Sequence, residues 1–265
     1  MTDVARPVLS ATVHDPDGRF LPLLSHVAAS LAWYRSAAFA VTDETDARIA
    51  TALESLGAEI IQVATGAIGT ARRAALRRSA ERCHEAGILA CDFDRWLHWA
   101  RHYSRELRCV PERIAAIRPA PWYVCIGRSA RAFATHPQVQ RDAEAATNHA
   151  LEIVVGFPID AVAGACWLSP EGLSQVLDHS CEATAATDLE WPAIVHRREA
   201  ARLAAIQVEG LEFETPSFYQ DQVVLAGSVE RWIGQTYERP EMWQARLQLA
   251  ADSVAALTRE MTPDQ

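Results

Sequence analysis

A chain of 265 residues that is 49% hydrophobic can bury a sizeable core, and its aromatic and aliphatic residues run along the whole length, which excludes wholesale disorder. With 25 basic and 34 acidic residues the formal net charge is −9, which excludes a general nucleic-acid-binding surface, because such a surface must be basic to neutralise phosphates. One small phosphorylated ligand is compatible with that charge, since a divalent cation can supply the missing positive charge.

In chain order, Val8–Val13 (VLSATV) is apolar and β-branched and reads as a strand, and His14-Asp15-Pro16-Asp17-Gly18 reads as a turn. Phe20–Ser36 carries Leu21, Leu24, Val27, Ala28 and Leu31 at helical spacing. Ala38–Thr42 is a second strand, Asp43–Asp46 a loop, and Ala47–Leu56 a helix closed by Gly57. Glu59–Val63 is a third strand. Ala64–Gly69 is a small loop, Thr70–Ala86 an arginine-rich helix, and Ile88–Cys91 a fourth strand. Strand–helix alternation at this spacing predicts a parallel sheet with helices on both faces. Ligands then bind beyond the carboxyl ends of the strands. Three of those four ends carry acidic side chains, among them Asp15, Asp43, Asp92 and Asp94, a cluster that calls for a cation.

The second half is less regular. It predicts strands at Trp122–Ile126, Ala161–Trp167 and Ala204–Val208, and helices at Arg128–Ala134, Pro137–Val155, Pro170–His179, Asp188–Arg202 and Glu241–Glu260. The acidic, alternating segment Val208–Thr215 (VEGLEFET) reads as an edge strand without chemistry. No linker or repeat divides the chain, so residues 1–265 read as one domain with two functional halves, 1–105 and 106–265. The cysteines (Cys83, Cys91, Cys109, Cys125, Cys166, Cys181) form no CxxC pair and read as reduced thiols. The longest apolar stretch, Leu151–Leu168, contains Glu152, Pro158 and Asp160, so no membrane span is expected. The N-terminal residues lack a basic-then-apolar leader, and the cytoplasm is the expected location.

The chemistry concentrates in CDFDRWLHW, Cys91–Trp99. In an extended segment residues two apart face the same way, so Asp92 and Asp94 can both reach one ion. Carboxylate oxygens suit Mg²⁺ or Mn²⁺, which hold one or two protein carboxylates plus substrate phosphates. The competing reading is an N-cap for a helix over Arg95–Tyr103. His98 and His102 stand at i, i+4, a zinc-ligand spacing near Cys83, His84, Cys91 and Cys109, but without CxxC or HExxH a packed or exposed helical face fits better. Trp96 and Trp191, beside acidic residues, are the tryptophans best placed to pack on a sugar.

Over its first ~100 residues the chain resembles glycosyltransferases of the A-type fold, the nucleotide-diphospho-sugar transferase superfamily. The resemblance rests on TVHD at Thr12–Asp15, VTDE at Val41–Glu44, GAIGTARRAAL at Gly66–Leu76 and DFD at Asp92–Asp94. It departs from the usual pattern at the first turn, where His14-Asp15-Pro16 replaces a small or proline-containing sequence. It implies a three-layer α/β sandwich with a mostly parallel central sheet, and a metal-dependent transfer of sugar from a nucleotide-diphosphate donor to a hydroxyl acceptor. Asp15 and Asp43 would lie at the base, Arg72 or Arg73 at the diphosphate, Asp92 near the ribose, and Asp94 on Mg or Mn, with His196 completing the metal site. Arg77 and Arg78 read as a solvated face. The second half would bind the acceptor, with Asp188 or Glu190 in TDLEWP as general base, needed only for inverting chemistry, and Asp160 as a further candidate. Two other readings compete: a sugar-phosphate nucleotidyltransferase, and a non-catalytic nucleotide-binding scaffold. A homodimer is compatible with the exposed aromatics and the long final helix.

Overall fold

A computed structural model describes residues 6–83 and 86–262. The elements in chain order are β1 (Val8–Val13), α1 (Leu21–Leu31), β2 (Ala37–Thr42), α2 (Ala47–Ser55), β3 (Glu59–Val63), α3 (Ile68–Ala80), β4 (Ile88–Cys91), α4 (Phe93–His102) and α5 (Ser104–Ala115). The second half continues with β5 (Tyr123–Arg128), α6 (Ala130–Ala134), α7 (Gln138–Val155), β6 (Ala165–Leu168), α8 (Pro170–His179), α9 (Thr187–Glu199), β7 (Leu203–Val208), α10 (Gln220–Ala226), α11 (Val229–Thr236) and α12 (Pro240–Met261). Among the described residues the strands form one sheet in the order β3-β2-β1-β4-β6-β5-β7. All neighbours are parallel except β6, which is antiparallel to both β4 and β5. Strands of both halves thus share one sheet.

The three-layer architecture follows from the two-residue period of the strands. Leu9, Ala11 and Val13 of β1, with Phe39 and Val41 of β2, join one core with residues of α1, α2, α4 and α5. Val8, Ile88, Tyr123 and Cys125 face the opposite core with residues of α3, α8 and α9. Where α3 crosses β2, Ala40 meets Ala71 and Ala75. These small side chains bring the helix axis close to the sheet and carry Arg72 over the strand ends. The mostly parallel α/β sandwich expected from the sequence is the observed fold.

Several local expectations need correction. Residues 209–214 are a loop, because β7 ends at Val208. β6 begins only at Ala165, since Gly164 turns the chain with φ +68°. Arg128 closes β5 instead of opening a helix, and Ser129 caps α6 by accepting from the Ala132 N–H. The sequence reading also missed α5, which contains Pro111, and the short α10 and α11. Helix α3 ends at Ala80, while residues 84 and 85 of the longer expected helix, His84 included, lie outside the described residues. No helix among the described residues is long and apolar enough to cross a membrane.

Candidate functional site

The carboxyl ends of β1, β2 and β4 open onto a cavity of about 370 Å³ whose wall includes Thr12, Phe20, Thr42, Thr65, Asp92 and Asp94. The DFD motif straddles the junction of β4 and α4. Phe93 is fully buried against Phe20, Phe39 and Trp96, which fixes the register of the motif. Burying an aromatic of this size contributes about 1.5–3 kcal/mol, so the register is not easily slipped. The helix therefore starts two residues earlier than the sequence suggests, and Asp94 sits in its first turn, where a negative charge suits the helix dipole. The two aspartates are not an extended pair, and they meet different partners.

Asp92 stands at the N-cap position, yet its side chain makes no capping bond. Oδ1 accepts from Thr12 Oγ1 at 3.1 Å and from Arg72 Nε at 3.2 Å, and Oδ2 accepts from Arg72 Nη2 at 2.8 Å. Arg72 Nη1 reaches on to Asp188 Oδ1 at 2.6 Å and Thr187 Oγ1 at 3.0 Å. One guanidinium thus bridges two carboxylates that stand 96 residues apart in the sequence. Burial pushes the Asp92 pKa up, but the Arg72 charge and hydrogen bonds outweigh it and the net shift is downward. Asp188 is pushed up to about 6 by burial first; Arg72 opposes that shift and the Asp92 charge adds to it. The difference follows from geometry, since Asp92 takes two Arg72 bonds and the Thr12 hydroxyl, whereas Asp188 takes one Arg72 bond.

Asp94 is pushed up to about 7 by burial, then by the negative charges of Glu214 and Asp92. Among the described residues its Oδ1 accepts only the neighbouring Arg95 N–H, at 2.8 Å. Glu214 is 5% exposed, and its buried Oε2 has no hydrogen-bond partner among the described residues. Such a group is costly to bury unless something else binds it. The loop that delivers Glu214 is held tightly. Glu106 accepts from the N–H groups of Glu209 and Gly210 and from Trp99 Nε1. His136 Nε2 donates to the Leu211 carbonyl, and Thr135 Oγ1 accepts from the Phe213 N–H. Burial holds His136 neutral, pushing its pKa down to about 3. Gly210 is required there, because a Cβ would lie 1.8 Å from the Trp99 ring.

The remaining expected site residues separate into those at the cavity and those withdrawn from it. Asp43 is exposed at the rim, where Oδ1 accepts from Thr65 N at 2.9 Å and Oγ1 at 2.7 Å, tying the ends of β2 and β3 together. Asp15 is corrected: it is buried, and its two oxygens accept the Arg19 and Phe20 N–H groups, so it shapes the turn before α1. Arg73 points away from Arg72, to Ser180 Oγ and the Glu182 carbonyl, because neighbouring helix positions diverge by about 100°. Glu190 is 1% exposed and clasps residues 180–182 by accepting from Ser180 Oγ and the Cys181 and Glu182 N–H groups, which removes it as a base. Asp160 is likewise committed, pairing with Arg128 through both oxygens and with Asn148.

His196 is corrected as a metal ligand. It follows Asp188 on α9 by more than two turns, roughly 12 Å along the axis at 1.5 Å per residue, and it lines none of the cavities that Asp92 lines together with Asp94 or Asp188. Asp92 shares the cavity wall with Asp94, and both its oxygens are engaged, Oδ1 by Thr12 and Arg72 and Oδ2 by Arg72. Trp96 is fully buried with Nε1 donating to Tyr34, and Trp191 is buried with Nε1 donating to Ser180, so neither offers a face to a sugar. His98 packs on His102 and meets Glu212. No group of three or more His, Cys, Asp or Glu suited to a metal occurs among the described residues. Two oxygen-bearing acids, Asp94 and Glu214, nevertheless fit Mg²⁺ or Mn²⁺, which complete their shell with phosphates and water. Glu214 and Arg95 were missed in the sequence. Glu214 was absorbed into an apparent edge strand, and Arg95 follows DFD with no spacing rule to mark it. Arg77 and Arg78 are exposed, as expected of a solvated face.

No protein-family model matches the chain, and no curated protein matches it. Solved structures do match. Glucosyl-3-phosphoglycerate synthase from Mycobacterium tuberculosis, in complex with phosphoglyceric acid, superposes with a TM-score of 0.61 at 12% identity, over 98% of this chain and 82% of that one. The same synthase with Mn²⁺, uridine diphosphate and phosphoglyceric acid gives 0.60 at 13% identity, over 98% and 80%. Its complex with Mn²⁺, UDP-glucose and glycerol 3-phosphate gives 0.58 at 12% identity, over 98% and 82%. At this identity the likeness establishes a shared fold.

Proposed function

We propose that this chain is a metal-dependent glycosyltransferase that moves a sugar from a nucleoside-diphosphate donor to an acceptor hydroxyl. The observation that carries the reading is Asp94 on the wall of the cavity at the strand ends, within range of the charge of Glu214, whose Oε2 has no partner among the described residues. A carboxyl whose ionisation is opposed by burial and by a second acid nearby, as that of Asp94 is by Glu214, is stabilised by a divalent cation, and the fold is one on which solved structures hold Mn²⁺ and uridine diphosphate. In this reading Asp94 and Glu214 hold Mg²⁺ or Mn²⁺, whose chemistry is to offset the charge that develops on the departing nucleoside diphosphate. Asp43 and Thr65 meet the base at the rim, and Phe20 and Val13 supply apolar wall.

Arg72 acts mainly by holding Asp92 and Asp188 in place. Asp188, ionised at neutral pH, accepts the proton of the attacking hydroxyl if the transfer inverts. A non-catalytic nucleotide-binding protein is the second reading, favoured by the tight Arg72–Asp188 ion pair that competes for the proposed base.

A thermal-shift panel of UDP, GDP, ADP and CMP, each with Mn²⁺ or EDTA, tests the donor site on the wild type and on Asp94→Ala and Glu214→Gln. At a hundred times its Kd a ligand stabilises by about 2.7 kcal/mol. A metal-dependent shift with one nucleoside diphosphate, lost in both variants, is expected; no shift with any nucleotide sinks the reading. Turnover of the matching nucleotide sugar separates the enzyme from the binding protein.

A further inference from the structure

Behind the donor cavity, across Ile68 and Asp92, lies a second cavity of about 120 Å³. Three arginines line it, Arg72, Arg95 and Arg246, together with Glu144 and Asp188. The guanidinium of Arg95 makes no hydrogen bond to any described residue, and its Nη1 is buried without a partner. Glu214, Asp94, Glu144 and Asp92 act on it through charge alone. In a protein interior a guanidinium normally fills its donor fork with carboxylate, phosphate or carbonyl oxygens.

The carboxylates lining this cavity are already engaged. Asp92 and Asp188 share Arg72. Glu144 Oε2 is taken by Arg128 at 2.6 Å, leaving Oε1 a longer contact of 3.3 Å to Arg246 Nη1. Asp160, which pairs with Arg128 from behind, lies outside the lining. Arg246 is thus weakly held at the mouth, with about a quarter of its side chain exposed. Gly164 keeps the floor open, since a Cβ there would meet Asp92 Oδ2 at 2.7 Å and Arg95 Nε at 3.0 Å.

We propose that this cavity is the acceptor subsite and that it selects a small hydroxyl compound carrying an anionic group, carboxylate or phosphate, gripped by Arg95 and Arg246 with its hydroxyl towards Asp188. The inference rests on the glycosyltransferase reading for the word acceptor, but the anion site stands on the arginines themselves. Guanidinium forks match the planar carboxylate and the phosphate edge through paired hydrogen bonds, and Arg72 and Asp188 place the proposed base on the same wall. A neutral acceptor would leave the Arg95 donors unfilled, so the subsite discriminates against it.

The test titrates inorganic phosphate, glycolate and glycerol, by calorimetry and thermal shift at constant ionic strength, against the full chain with and without UDP and Mg²⁺. Phosphate and glycolate are expected to bind, whichever binds tighter identifying the anion, and glycerol is not. Their shifts are expected to add to that of UDP. Arg246→Gln is expected to weaken the preferred anion at least tenfold while the UDP shift is unchanged, and Arg246→Lys, which keeps the charge without the fork, to weaken it less. Equal binding of glycerol, loss of the anion effect once UDP is bound, or an unaltered anion affinity in both Arg246 variants overturns the subsite. Failure of UDP to bind, with the anion response and its Arg246 dependence intact, overturns the donor reading and leaves the anion site standing.

Discussion

Replacing Asp94 by asparagine is expected to stabilise the metal-free protein at pH 8, against the usual direction of a substitution in a buried motif. In the fold the Asp94 pKa rises from 3.8 to about 7, through burial and then the charges of Glu214 and Asp92. A carboxyl whose folded pKa is raised opposes folding most above that pKa, and the penalty fades as pH falls towards the unfolded value. Three units at 1.36 kcal/mol each set an upper bound of about 4 kcal/mol at pH 8, and roughly half of that is a fair expectation for a side chain still partly open to solvent. At pH 5 the site holds its proton and the penalty drops to about 1 kcal/mol. Asparagine keeps an acceptor for the Arg95 N–H, so little else is lost.

Urea denaturation in EDTA at pH 8 and pH 5 measures both values, and the stabilisation is expected to shrink between them. With saturating Mn²⁺ the order reverses, because the wild type gains binding energy that the variant lacks. A variant destabilised at pH 8 in EDTA, or shifted equally at both pH values, would refute the reasoning that two acids confront each other at this site.

Other perturbations probe the neighbouring contacts. Arg72→Met strips Asp92 and Asp188 of their shared partner and is expected to cost about 3–5 kcal/mol at neutral pH, less at pH 5 where Asp188 takes up a proton; equal Tm losses at both pH values count against the bridge. Asp188→Asn is expected to lower kcat by roughly 10²–10⁴ and to abolish an acid limb near pH 6 in kcat/KM, with UDP affinity retained; an unchanged pH profile removes Asp188 as the base. Glu190→Gln is expected to cost about 1–3 kcal/mol through the loosened 180–182 clasp while that pH limb stays in place, which distinguishes clasp from base. Gly210→Ala forces a methyl against Trp99 and is expected to cost about 1–3 kcal/mol and to weaken Mn²⁺ binding, read by titration calorimetry, because the same loop carries Glu214.

Local sequence determined the alternation of the first half, because each strand there is a short apolar run closed by a turn residue and each helix repeats its apolar face. β1, β3 and β4 begin and end where that pattern begins and ends. The same pattern brought Asp92 and Asp94 to a strand end and led Arg72 over it, so the grouping of these candidate residues was legible. The direction of individual side chains was not. Asp15, Glu190 and Asp160 share their chemistry with Asp94, and only the folded chain shows that backbone N–H groups or Arg128 occupy the first three while Asp94 meets Glu214. Glu214 stands 120 residues beyond Asp94, and Arg246 is 151 residues beyond Arg95, separations that no periodicity or spacing rule spans. Sequence fixes which groups are available and which strand ends carry them. Burial and the pairing of distant charges, which decide what each group can hold, arise only when the sheet brings the two halves together.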